Sequence, residues 1–145
     1  MTSHAPQTPY LDVTKESGRR YFSQTRPGPV VMLNLLRFRA VADYSASPAL
    51  APPAPITGAE AYERYMAHSE PYLAQAGSEI LFLGQGGEYL IGPPGERWDL
   101  VLLVRHRGAA SLHSFAANEG YLKGLGHRLA ALEDSRLLPI IQGDG

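Results

Sequence analysis

His68 stands in a helical-looking stretch with Tyr65 one turn before it and Tyr72 one turn after. An imidazole between two phenols is suited to passing a proton, since its ordinary pKa of about 6.5 lies near neutral pH. The same spacing also suits a packed, hydrogen-bonded residue at the edge of a core. A second polar cluster follows near the C-terminus: His127 and Arg128, with Tyr121 before them and Asp134 and Arg136 after. An arginine of this cluster could pair with Asp134 and pin the last segment, or His127 and Tyr121 could line the mouth of a cavity. Two further positions are conspicuous. Asn34 interrupts the apolar run PVVMLNLLRFR, which Arg37 and Arg39 close, and Trp98 opens the run WDLVLLVRH. The arginines could form a fork for a carboxylate or stay as solvated ion pairs. The indole either plugs a core or walls a pocket, and its N–H needs an acceptor in both cases. The candidates for proton transfer are therefore His68, His127 and Tyr65, and those for holding a ligand are Asn34, Arg37, Trp98, Tyr121 and Arg128.

Several chemistries lack the residues they require. The chain has no cysteine, which excludes disulfides, thiolate nucleophiles and thiolate-bound metals. Its five histidines, His4, His68, His106, His113 and His127, form no metal-binding spacing, so no metal or other cofactor is expected. The glycines at 84, 86 and 87 and at 120, 124 and 126 read as turn residues, because neither set has the spacing of a dinucleotide fingerprint. Thirteen Lys and Arg against fourteen Asp and Glu give a formal charge of −1, with no basic footprint for nucleic acid or an anionic membrane. No apolar run reaches the roughly 20 residues that span a bilayer, and a cytoplasmic location is expected.

The elements that must position these residues can be read in order. The 145 residues suit one domain at 29–141, preceded by an N-terminal extension, 1–28, whose first ten residues read as a flexible tail. Asp12 or Thr14 could cap a short helix through Gln24, which TRPGP then stops. A strand at 30–38 leads into an Ala/Pro-rich loop over 40–55. Thr57 and Glu60 have capping-box spacing, and an apolar stripe follows as far as Gly77. Pro71 should kink or interrupt that helix near His68. SEILFLGQ and GEYLIG, separated by Gly86 and Gly87, carry the signal of a hairpin. WDLVLLVRH is another strand, helices cover about 109–118 and up to 132, and RLLPII is extended. The order is that of a ferredoxin-like split βαβ fold, α+β with an antiparallel sheet.

Both faces of the strands are apolar. Met32, Asn34, Leu36 and Phe38 alternate with Val31, Leu33 and Leu35, and Trp98, Leu100, Leu102 and Val104 alternate with Val101 and Leu103. Right-handed crossovers put both helices on one side of such a sheet, so the second apolar face needs cover from elsewhere. A homodimer packed sheet to sheet supplies it. If the face of Asn34 looks into that interface, its amide needs a backbone, symmetry-related or ligand partner, because an unpaired one costs about 1–3 kcal/mol.

PVVMLNLLRFR, AYERYMAHSEPYLAQAG, WDLVLLVRH and EGYLKGLGHRLAALEDSRLLP, in this order, resemble the domain of unknown function 1330 family, a branch of the dimeric α+β barrel superfamily. The resemblance covers about residues 29–139 and implies two subunits whose sheets close a barrel. The 40–55 insertion and the N-terminal extension depart from the pattern, and either could cover or reshape a cleft. The superfamily includes cofactor-free monooxygenases, lactone isomerases and haem-handling enzymes, and Asn34, Trp98 and His113 match the last by residue type, but a fold does not transfer a chemistry. Two readings follow. In one the dimer binds a small, mostly apolar organic molecule and processes it by acid–base chemistry without a cofactor. In the other it is non-catalytic, with an interior filled by side chains. Whether the chain is an enzyme stays open.

Overall fold

Caps and alternation set the local structure of this chain, whose computed structural model describes residues 9–24 and 27–142. Most of the expected N-terminal tail (1–8), His4 included, and the first two residues of the TRPGP stop (25 and 26) lie outside them. Thr14 caps helix α1, Lys15–Phe22, by accepting from the Ser17 amide. Strand β1 runs Val30–Phe38. Thr57 and Glu60 form the reciprocal capping box of helix α2, Gly58–Gln75, with bonds of 3.1 and 3.0 Å. Gly77, at φ 71°, closes it: Ser78 N donates to the Leu73 carbonyl and Gly77 N to that of Ala74. The expected break at Pro71 is absent. Helix α2 is continuous through it, with His68 and Tyr72 anchored on either side by contacts described below.

Strand β2, Glu79–Gln85, pairs with β3, Leu100–His106. Helices α3, Ala109–Ala117, α4, Glu119–Leu122, and α5, Leu125–Ala131, lead to β4, Leu132–Ile140. The sheet is antiparallel with order β2-β3-β1-β4. One α2 crossover between β1 and β2 and a helical one between β3 and β4 make this the ferredoxin-like split βαβ arrangement. GEYLIG is not the second strand of a hairpin. Both edges of β3 are taken, by β1 and β2, and this segment meets the residues before β3 through an isolated bridge from Glu88 to Arg97 and bonds from Trp98 to the Gly87 carbonyl and the Tyr89 hydroxyl, while Leu90 and Ile91 stand in solvent.

Register separates the two faces. Leu83, Leu102, Asn34 and Leu137 form one row, and Ile80, Val104, Met32 and Pro139 form its neighbour. These lie on the helix-bearing side, where Leu36 and Leu102 pack with Ala61, Tyr62, Ala130, Ala131 and Leu132. Asn34 thus looks toward its own helices. The opposite face carries the row Phe82, Leu103, Leu33 and Leu138 across all four strands. Among the described residues nothing covers the ends of that row, with Phe82 55% and Leu138 56% exposed.

Trp98 departs from its expected face. Regular pairing begins only at Leu100, and the indole turns instead against Arg37 and Arg136, with guanidinium carbons 5.6 and 5.2 Å from the ring centre. Asp134 holds this group together. It bonds Arg136 at 2.7 Å and Arg37 at 3.5 Å and accepts the Tyr10 amide at 2.8 Å, so Asp134 has the arginine pairing expected of it, from Arg136 and Arg37 and not from Arg128. The 40–55 segment is also fastened down: Asp43 N donates to the Ala130 carbonyl and Tyr44 is buried.

Burial opposes ionisation of Asp134, but the amides of Tyr10 and Ser135 and the Arg136 guanidinium outweigh it and hold the carboxyl below its usual range. Its native pKa being depressed, its contribution is complete above the unfolded value of about 3.9 and fades as pH falls through the native one. We expect Asp134→Ala to lose about 2–3 kcal/mol in urea unfolding at neutral pH. The difference from wild type should shrink in acid, and amide exchange near Tyr10 should quicken.

Candidate functional site

Helices α2–α5 do not fill the space above the sheet. Between them, α1 and the rows containing Asn34 and Met32 lies a cavity of about 990 Å³. Its floor is apolar, from Met32, Leu102 and Val104, and α2 adds Met66 and Leu73. The cover is the N-terminal segment, Tyr10 to Val13 with the helix that follows. No residue of α1 is buried, and Phe22 meets the edge of His113 on α3 at 5.1 Å. The 40–55 insertion contributes nothing to the lining.

One wall is a continuous run of rings. Tyr62 lies 5.2 Å from Tyr65 between centroids, Tyr65 6.0 Å from Tyr121, Tyr121 4.3 Å from Phe115, and Phe115 5.9 Å from His106. The Tyr65 and Tyr121 hydroxyls are 2.6 Å apart. One phenolic proton is committed within that pair and the other is not. Burial first, and then the neighbouring phenols, push the Tyr62 and Tyr121 pKa values up, while the positive charge of Arg128 acts in the opposite sense. Both stay neutral donors at physiological pH. Arg128 lines the same end and donates to the Leu11 carbonyl. Among the described residues no carboxylate comes within ion-pair distance of it.

Asn34 faces the cavity with one Nδ2–H on the Met32 carbonyl at 3.3 Å. Of the other candidates, Tyr65, Tyr121 and Arg128 line the cavity, whereas His68, His127, Arg37 and Trp98 do not. His68 Nε2 lies 2.7 Å from the Gly120 carbonyl, which can only accept, so this nitrogen carries the proton. His127 Nδ1 lies 2.8 Å from the Tyr44 hydroxyl; burial, then the charges of Arg64 and His68, lower its pKa. Trp98 donates to the Tyr89 hydroxyl on the other side of the sheet.

His106 is the residue that sequence reading passed over. It is 4% exposed, lines the cavity, and has Nδ1 2.7 Å from the Ser78 hydroxyl. Burial lowers its pKa and favours the neutral imidazole. Period-two counting from Leu100 through Leu102 and Val104 would have placed it in line with Asn34. Among the described residues no group of three or more His, Asp or Glu could hold a metal ion, and no helix is long and apolar enough to cross a membrane.

Comparison with solved structures identifies relatives of this architecture. RPA0582, described as a protein of unknown function from Rhodopseudomonas palustris, is 35% identical, with 95% of this chain and 100% of that one aligned and a TM-score of 0.83. Its methylated form aligns at 34% identity over 96% and 99% of the two chains, with a TM-score of 0.85. The chain belongs to the RPA0582 family. A Bacteroides fragilis protein described as dimeric and ferredoxin-like aligns at 13% identity over 77% of this chain and 94% of that one, with a TM-score of 0.47. No family model matches the chain, and no curated protein matches it. Membership of the RPA0582 family therefore brings a fold without an activity.

The glycines of the α4–α5 region are contact residues in this member of the family. A Cβ on Gly124 would lie 2.1 Å from the His68 ring, and one on Gly120 would meet Tyr72. These absences of side chain let the α2 rings lie flat against α4 and α5. Gly124→Ala is expected to cost about 1–3 kcal/mol through overpacking, read from the thermal midpoint. It should leave the cavity-lining residues in place, which near-UV circular dichroism of the tyrosines would report.

Proposed function

We propose that this protein binds a small, mostly apolar organic molecule in the cavity beneath α1. The observation that carries the reading is the cavity itself. Its volume is at the upper end of the about 300–1,000 Å³ common for small-molecule sites, and its walls are apolar with a few convergent polar groups. A close-packed interior would have favoured a purely structural protein. Asn34, Tyr65, Tyr121 and Arg128 are the groups that would orient the ligand.

A second reading, turnover by acid–base chemistry without a cofactor, rests on His106. Its imidazole is kept neutral by burial, is steadied by Ser78, and shares a wall with the phenol pair. Of the three groups considered for proton transfer from the sequence, Tyr65 is the one that reaches the cavity lining.

Association is the other half of the proposal. The row Phe82, Leu103, Leu33 and Leu138 is the uncovered face that a second copy would bury, closing a dimeric α+β barrel. Fully burying each such side chain is worth about 1.5–3 kcal/mol, which makes a sheet-to-sheet homodimer favourable. Strand order and the position of the MLNLLRFR segment in the central strand β1 support kinship of the RPA0582 family with the domain of unknown function 1330 family.

Native mass spectrometry of freshly purified protein should show two copies with a small molecule retained. Nile red, a neutral apolar dye, should bind saturably, and Met66→Trp, which fills the cavity, should weaken it about tenfold or about 1.4 kcal/mol without lowering the unfolding midpoint. Non-saturable dye binding, or binding indifferent to the substitution, would sink the ligand reading. Leu33→Lys should give single subunits in sedimentation velocity; a wild-type chain that is already monomeric at high concentration would defeat the dimer.

A further inference from the structure

Arg128 presents a cation to an apolar cavity with no anion to match it. Its guanidinium has five N–H donors, and among the described residues its hydrogen-bond partner is the neutral Leu11 carbonyl. The carboxylates of the lining, Asp12 and Glu70, are on exposed residues and make no ion pair with it. Around it stand donors. Tyr62 is 3% exposed and makes no hydrogen bond through its hydroxyl to a described residue, and the Tyr65–Tyr121 pair keeps one uncommitted O–H. All three phenols line the cavity. A partly buried constellation of donors and positive charge, with Tyr62 and Tyr121 buried and no negative charge among them, is complementary to an anion. From this end the apolar floor of Met32, Leu102 and Val104 extends toward Ile80 and Leu112.

We propose that the ligand is an amphiphilic carboxylate: its head pairs with Arg128 and accepts from Tyr62 and the Tyr65–Tyr121 pair, and its hydrocarbon part lies along the apolar floor. The inference rests on the cavity being the ligand site and adds the chemical class of its occupant. It also separates two arginines. Arg37, on the other face of the sheet, is already paired with Asp134 and Glu133 and stacked on Trp98, so it takes no part.

Decanoate, methyl decanoate and 1-decanol share a tail and differ in the head, and calorimetric titration of the full-length chain with each tests the assignment. Decanoate should bind about tenfold or more tightly than the ester or the alcohol, the worth of a charge-assisted hydrogen bond. Arg128→Gln should abolish that preference while alcohol binding persists, and Arg37→Gln should leave it intact. Because Arg128 also holds the Leu11 carbonyl, Arg128→Lys and the double variant Tyr62→Phe/Tyr121→Phe serve as second probes: the first should retain the preference and the second should reduce it. Equal binding of acid, ester and alcohol, or a preference surviving Arg128→Gln, overturns the carboxylate assignment and leaves the apolar site standing. Failure of all three probes to bind overturns both.

Discussion

Asp134 carries a negative charge almost out of water, 4% exposed in the edge strand of the sheet, and much of the architecture around it serves to make that tolerable. An isolated carboxylate there would be protonated or would unfold its surroundings. Two guanidiniums and two amides satisfy it, and they come from separate places: Arg37 from β1, Arg136 and the Ser135 amide from β4, and the Tyr10 amide from the N-terminal segment. Each arginine then stacks on Trp98, and Arg136 also lies 4.9 Å from the Tyr10 ring. The Tyr10 carbonyl accepts from Ser135, so the segment is held by both its amide and its carbonyl at one residue. This anchor and the bond from Arg128 to the Leu11 carbonyl fix where the chain before α1 crosses the helices.

That anchor reaches the cavity through a single peptide step. Tyr10 is tied to Asp134 and Leu11 to Arg128, so the residues that neutralise a buried charge on β4 also bring a carbonyl to the cation on α5. The rest of the cover is thin. Helix α1 buries no residue, in contrast with α2, which contributes Ala61, Tyr62 and Ser69 to the interior. The helix side of the sheet is correspondingly divided. Around Leu36, Tyr62, Ala130, Ala131 and Leu132 it is tightly filled, whereas around Met32, Asn34 and Val104 it opens into the cavity. Side chains that border this opening have fewer packing partners than those around Leu36 and Leu132 and gain correspondingly less dispersion energy.

Local rules reached the elements and stopped short of the site. The alternation of VVMLNLLRF, the Thr57–Glu60 box and Gly77 each depend on neighbours in sequence, and β1 and α2 appear with those bounds. GEYLIG has the composition of a strand, but it is β3 that pairs with β2, a fact of sheet order that no local pattern contains. His68 and His127 were placed on a plausible helix face, yet which element lies across that face is decided by Gly120, Gly124 and Tyr44, distant in sequence from one or the other. Arg128 finds Leu11 across 117 positions. Trp98 was misplaced because alternation was extended two residues before the strand begins, whereas for His106 the same alternation, carried to the strand's last residue, would have succeeded.

Asn34 joins these strands of reasoning. Its row is otherwise leucine, and a close-packed neighbour there would strand an amide that has one internal bond, to the carbonyl two residues before it. Among the described residues no side-chain nitrogen or oxygen is both sealed from solvent and without a partner. The amide oxygen of Asn34 must therefore border accessible space, and on this face of the sheet that space is the cavity. A buried amide left unsatisfied costs about 1–3 kcal/mol, and leucine at this position would avoid the cost altogether. An interior filled by apolar side chains would leave the amide oxygen of this central-strand asparagine without a partner, while one that admits a polar atom makes it useful: with His106 and Ser135 it is one of the groups that the strands bring to the cavity able both to donate and to accept.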